Sequence, residues 1–420
     1  MFRYRSHPIL WLVAIGFAAS ALASASADRN APLPLQETSS YTASPRTQTG
    51  IDVLEAEGFA TLRGKRVGLI TNRTGVDGQG RRTVDLLAHA PAVRLAALFS
   101  PEHGISGSLD APVENSRDGA THLPIYSLFG DTRRPAPETL KNLDALVFDI
   151  QDAGVRFYTY ITTMAYGMEA AAQSHIPFFV LDRPDPLGGE VIEGPMLDRG
   201  RTSFVAYFPM PVRYAMTMGE LAQMFNSENR IGANLRVIAM KNWRRGQSYD
   251  QTGLAWIPPS PNLRTAAADF LYPGIEILQA GGVSVGRGTD APFEMFGAPW
   301  VHADELAAAL NAQEIPGLSF AAGEFTPRED PYKGQSCQGV TINLTGRGEL
   351  RSMRMGITIA DVLYRLYPGR FQLAKTIALL GSQSTIDRLV QGDDPAQILA
   401  GWAQELDEFR HMRAKYLLYR

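Results

Sequence analysis

Glu102 and His103 stand side by side in "LFSPEHGISG" (Leu98–Gly107), where an apolar run ends abruptly and neither a helical nor a strand pattern absorbs them. Comparable sets follow three other short apolar runs: Asn72-Arg73, then Gln151-Asp152 between Asp149 and Arg156, then Arg183-Pro184-Asp185. Acids, amides and arginines gathered this way suit general acid/base work, in which a protonated carboxyl gives a proton to a leaving oxygen and a second carboxylate supports the developing positive charge. Glu102, Asp149 and Asp152 are the candidates for those two roles. A partly desolvated crevice favours the protonated form of a carboxyl, as a proton donor requires.

The preceding runs, Arg66–Thr71, Val93–Ser100, Asp144–Ile150 and Ile176–Asp182, read as fully buried strands, and "RTVDLLAHA" and "YTYITTMAYGMEAAAQSH" between them as crossover helices. The expected fold class is α/β, with a doubly wound, mostly parallel sheet, which binds ligands in a crevice outside the carboxyl ends of its strands. All four polar sets fall there. After the Pro-rich "WIPPSPNLRT", helices in "VHADELAAALNAQ", "GITIADVLYRLYP" and "ELDEFRHMRAKYLLY" and a strand in "GVTINL" predict a second, smaller α+β domain. Trp256 on that rigid loop offers a surface for stacking on a sugar; packing in the core is its plainer role, as pairing with a nearby helix or loop is for Asp149.

The boundaries expected are 1–27 signal peptide, 28–49 flexible leader, 50–262 catalytic domain and 263–420 C-terminal domain. Arg3 and Arg5 precede an apolar stretch, Ile9–Leu22, that is shorter than the roughly 20 residues needed to span a bilayer and leads into Ala-x-Ala before Asp28. A cleaved signal implies a periplasmic or secreted protein without stable membrane insertion. Its removal takes two arginines and no acid, so the formal charge goes from −3 to −5, and nothing favours nucleic acid. The single cysteine, Cys337, permits no internal disulfide.

Three other chemistries fit poorly. Gly75, Gly78 and Gly80 match neither glycine-rich phosphate fingerprint. Ser284 sits in a G-x-S-x-G match, "GVSVG", with Asp290 and His302 following, but no helix start follows it as a nucleophile elbow needs. The seven histidines show no metal-ligand spacing, and no metal or other cofactor is expected.

"GIDVLEAEGFATLRGKRVGLITNRTGV", "LFSPEHGISG", "FDIQDAGVRFYTYITTM", "LDRPDPLGG", "PPSPNL", "YPGIEIL", "SVGRGTDAPFEMFGAPW" and "YKGQSCQGV", in this order, resemble the exo-β-N-acetylmuramidase family from Gly50 to the C-terminus. The resemblance implies a cofactor-free glycoside hydrolase that removes N-acetylmuramic acid from the non-reducing end of peptidoglycan fragments, with a Rossmann-like catalytic domain. It makes Glu102 the general acid/base with His103 beside it, and places Asp149, Gln151, Asp152, Tyr158 and Tyr160 around the pocket. Gln279 stands where many members carry an acid. Muramic acid differs from glucosamine by a lactyl ether bearing a carboxylate, which a guanidinium can grip bidentately; Arg73, Arg156 and Arg287 are the candidates, Arg156 first because it lies one helical turn beyond Asp152. An N-acetylglucosaminidase, a non-catalytic peptidoglycan-binding protein and a serine esterase using Ser284 are the alternatives.

Overall fold

Along strand β1 (Arg66–Thr71), Val67 and Leu69 enter one apolar cluster and Ile70 enters another, so the strand is covered on both faces. The same division holds on strand β5 (below), where Leu146 and Phe148 face one cluster and Val147 the other. The computed structural model describes residues 46–109 and 111–420; the expected signal and nearly all of the expected leader lie outside them. The leader's last residues belong to the fold: the Thr47 amide donates to the Thr252 carbonyl at 3.0 Å, Gln48 bridges to Lys241, and Thr49 and Asp52 form a capping box on helix α1 (Gly50–Ala56).

The remaining strands of the first half are β2 (Arg94–Ser100), β3 (Ser116–Arg117), β4 (Pro124–Ser127), β5 (Ala145–Asp149), β6 (Phe178–Leu181), β7 (Glu193–Met196), β8 (Pro211–Arg213) and β9 (Leu235–Ile238). Seven form one sheet in the order β3-β4-β2-β1-β5-β6-β9, parallel except for β3, while β7 and β8 pair with each other. Helices α1 and α2 (Thr83–Ala88) cover one face; α3 (Pro137–Leu140), α4 (Tyr160–Gln173) and α5 (Met218–Glu228) supply apolar residues to the other. This is the α/β, doubly wound architecture expected. The chain leaves β1 toward β2 on one side and returns to β5 on the other, so the topological switch, where folds of this class bind their ligands, lies at β1.

Next come α6 (Ala266–Ala280), strand β10 (Met295–Ala298), α7 (Ala303–Asn311), β11 (Leu318–Phe325), β12 (Cys337–Leu344) and α8 (Ser352–Leu366), with the three strands forming an antiparallel sheet in the order β10-β12-β11. Shorter helices follow, and the C-terminus returns to the large sheet: the Tyr419 hydroxyl donates to Asp182 at 2.5 Å. Among the described residues no helix is long and apolar enough to cross a membrane.

Candidate active site

β2 ends at Ser100, and Pro101, which has no N–H to continue the ladder, turns the chain out of the sheet. His103 and Gly104 follow with φ of 68° and 72°, a pair of left-handed residues that reverses the chain. The His103 ring closes this loop through Nδ1 and the Leu109 carbonyl at 2.7 Å. Glu102, half-buried at the turn, accepts a hydrogen bond from the Thr159 hydroxyl at 2.5 Å. Thr159 is the residue before α4, and its side chain makes no capping bond, which leaves it available to orient the carboxyl.

Two residues after β1 fix the opposite wall. Asn72 donates to the Tyr160 hydroxyl at 3.0 Å, and Tyr160 donates to the Pro259 carbonyl at 2.5 Å. Arg73 donates to the carbonyls of Pro258 at 2.6 Å and Ser260 at 3.2 Å. The "PPSPN" loop is thus held by three successive carbonyls. Burial and then the Glu102 charge push the Tyr160 phenol up, while Arg73 acts on it in the opposite sense, so acid, phenol and guanidinium share one small region. Burial pulls the half-buried Arg73 guanidinium down, and no carboxylate pairs with it among the described residues.

Helix α6 brings a third wall. Tyr272 is enclosed and meets Tyr158 edge-on at 6.0 Å, which meets Tyr160 in turn at 4.9 Å; burial and then the Glu276 charge push its phenol up, with Arg287 opposing and Glu102 adding to the rise. Glu276, one turn further along α6, accepts from Arg287 Nη2 at 2.6 Å, and Gln279 accepts from Arg287 Nε at 2.7 Å. Gln279 therefore keeps a hydrogen bond to the arginine without adding a charge.

Other expected site residues lie behind this crevice. Asp149 is wholly buried, with both oxygens bound by Arg183 (Nε at 2.6 Å, Nη2 at 3.0 Å) and Oδ2 also by Thr83 at 2.5 Å; it joins β5 to the loop after β6 and does not present a carboxylate to substrate. Asp152 is enclosed as well, accepting from the Tyr214 hydroxyl and from the Gly154 amide at 2.9 Å, and burial pushes its carboxyl up to about 6. Gln151 donates to the carbonyls of Asp152 at 3.0 Å and Pro184 at 2.8 Å, and lines a separate cavity of about 190 Å³ with Thr74, Arg183 and Ile257.

Arg156, the first choice for gripping a substrate carboxylate, does not face the crevice. Its guanidinium is enclosed and donates to four carbonyls, those of Pro195, Met210, Leu379 and Leu380, fastening the β7–β8 hairpin to the later helices. Tyr158 is buried edge-on against Tyr160 and Tyr272. Trp256 is half-buried, packs edge-on against Tyr249 and donates through Nε1 to the Leu263 carbonyl at 3.3 Å, so it braces its loop. Ser284 is 1% exposed and exchanges backbone hydrogen bonds with Gly297, with no nucleophile elbow around it. In the glycine-rich loop, the Gly78 amide is taken by Asp52 and those of Gln79 and Arg81 by Asp77.

Thr159 and Glu276 were not among the residues expected. Both lie in motifs carrying the resemblance, "FYTYITTM" and "YPGIEIL", and the signal for Thr159 was a threonine immediately before a crossover helix.

Residues 67–267 match the family described as "Exo-beta-N-acetylmuramidase NamZ, N-terminal" and residues 270–419 its "C-terminal" counterpart. The chain belongs to the exo-β-N-acetylmuramidase NamZ family. Within it, the peptidoglycan beta-N-acetylmuramidase NamZ of Bacillus subtilis (strain 168) is 43% identical over 380 residues, covering 89% of this chain and 92% of that relative. Two crystal structures of DUF1343 family proteins from Bacteroides fragilis NCTC 9343 share the fold. One has a TM-score of 0.82 and 41% identity over 89% of this chain and 99% of its own; the other has 0.73 and 31% over 90% and 99%. The NamZ-family match spans both the parallel sheet and the part that carries α6, the two sources of the crevice walls.

Proposed function

We propose that this protein is an exo-acting glycoside hydrolase that releases N-acetylmuramic acid from the non-reducing end of peptidoglycan fragments. The observation that carries this is the 43% identity over 380 residues to a peptidoglycan β-N-acetylmuramidase. Glu102 is the general acid/base. Thr159 holds one carboxyl oxygen, leaving the other to protonate the glycosidic oxygen and afterwards to take a proton from water. Asp149 and Asp152 are committed elsewhere, so Glu276, fixed by Arg287, is the carboxylate that supports positive charge at the anomeric carbon. Residues 1–27 direct export to the periplasm or the exterior, where such fragments occur.

The enclosure of Ser284 leaves the esterase alternative without a nucleophile. A chromogenic β-N-acetylmuraminide separates the others. The protein is expected to release chromophore and free sugar at a rate unchanged by chelator. Sugar binding without release would mark a wall-binding protein, and faster turnover of the matching glucosaminide would make it an N-acetylglucosaminidase.

A further inference from the structure

An aromatic surface begins where the Glu102 loop leaves the sheet. Ser100 and Ser127 are register partners on adjacent strands, about 4.8 Å apart, and two residues beyond them come Glu102 and Phe129. The loop that carries Glu102 returns to this point, with the Val113 amide donating to the Phe129 carbonyl at 2.8 Å. Phe129 stacks with Phe204 (centroids 6.2 Å apart, planes at 28°), and Phe204 meets Tyr166 at 6.2 Å. Tyr166 lies seven residues after Thr159, on the same stripe of α4 as the residue that holds Glu102 and about 10 Å further along the axis. Two exposed arginines border the rings. Arg134 lies over one face of Tyr166, its Cζ 3.4 Å from the centroid, and is tied to Glu169 at 2.6 Å, whereas Arg133 rests on Phe204, its Cζ 4.1 Å from the centroid, and has no carboxylate partner among the described residues.

Half-exposed aromatic rings stacked beside one another are a platform for the apolar faces of sugar rings, and a guanidinium laid on such a ring keeps its N–H edge turned outward for a carboxylate. The far end of this surface, at Tyr166, is about 10 Å along α4 from the residue that holds Glu102, about the length of two sugar units. We infer that Phe129, Phe204 and Tyr166 form a shelf for the leaving-group side of the glycan, and that Arg133 binds the carboxylate of an acidic sugar two units beyond the scissile bond. This rests on the glycosidase reading above and adds to it a preference for longer, carboxylate-bearing chains.

Three substrates isolate the shelf: a chromogenic N-acetylmuraminide, the disaccharide N-acetylmuramyl-N-acetylglucosamine, and the trisaccharide with a further N-acetylmuramic acid. Arg133→Ala is expected to raise KM about tenfold for the trisaccharide only, in a salt-sensitive way, with the other two within about twofold. Phe204→Ala is expected to weaken both oligosaccharides and spare the chromogenic substrate. The inference is overturned if Arg133→Ala leaves the trisaccharide unchanged or lowers turnover of all three equally. Calorimetry with a Glu102→Gln protein reads the shelf without catalysis: Arg133→Ala on that background must weaken trisaccharide binding but not that of free N-acetylmuramic acid. If the unsubstituted protein hydrolyses none of the three, the proposed activity fails; the calorimetric comparison still decides for or against the shelf.

Discussion

At the scale of single residues, the site turns on which charged groups are already engaged. Arg156 is consumed by carbonyls and Arg287 by Glu276 and Gln279, whereas Arg73 is bound, among the described residues, to two carbonyls alone, which makes it the candidate cation for the lactyl carboxylate in the proposed reaction. Each hydrogen bond to a charged group is worth about 1.5–3 kcal/mol. Arg73→Ala is accordingly expected to lower kcat/KM on a muramic substrate roughly 10- to 100-fold more than on its glucosamine counterpart, whereas Arg287→Ala should lower both alike. Paired kinetics on the two substrates check this, and the reverse order would move carboxylate recognition to Arg287. The residue types were legible in the sequence, but their engagement was not: Asp149 is neutralised by Arg183, 34 positions away, and Arg156 by carbonyls 39 to 224 positions away.

At the scale of elements, the parallel strands were legible because each is an unbroken apolar run, buried on both faces. Helix α6 was not, since "YPG" at Tyr272–Gly274 has the composition of a turn. The helix continues through Pro273 because its packing overrides that local preference: Gly274 meets Gly356 of α8 so closely that a Cβ on Gly356 would lie 2.6 Å from the Gly274 Cα, and one on Gly274 would lie 2.2 Å from the Ser352 carbonyl oxygen. This crossing sets the position of Tyr272 and Glu276 on α6. Gly356→Ala is expected to destabilise the protein by about 2 kcal/mol or more through overpacking, while Gly348→Ala, where a Cβ meets nothing within 4 Å, should stay within about 0.5 kcal/mol. Urea unfolding of both variants provides the comparison, and equal midpoints would refute the role given to this crossing.

At the scale of the whole molecule, the sheet and the later helices meet over buried acids. Burial pushes Asp152 up to about 6 and Asp185 up to about 7, and it raises Asp269 on α6 as well, with Asp152 and Asp185 adding to that rise. These groups hold protons more tightly in the folded protein than in the unfolded chain. The stability they contribute is complete at about pH 4 and is lost as the pH rises through 6 to 7. Thermal unfolding should therefore show a Tm several degrees lower at pH 8 than at pH 5, and Asp185→Asn should flatten the profile; a Tm that rises over this range would exclude the cluster as its source. The proposed activity depends instead on the acid at the end of β2, and the most direct measurement is the turnover of a chromogenic β-N-acetylmuraminide by Glu102→Gln beside the unsubstituted protein. The expected result is a kcat lower by a factor on the order of 10² to 10⁴ with KM little changed, as for a positioned proton donor. Turnover within a few-fold of the unsubstituted protein would contradict the assignment of Glu102 as the catalytic acid.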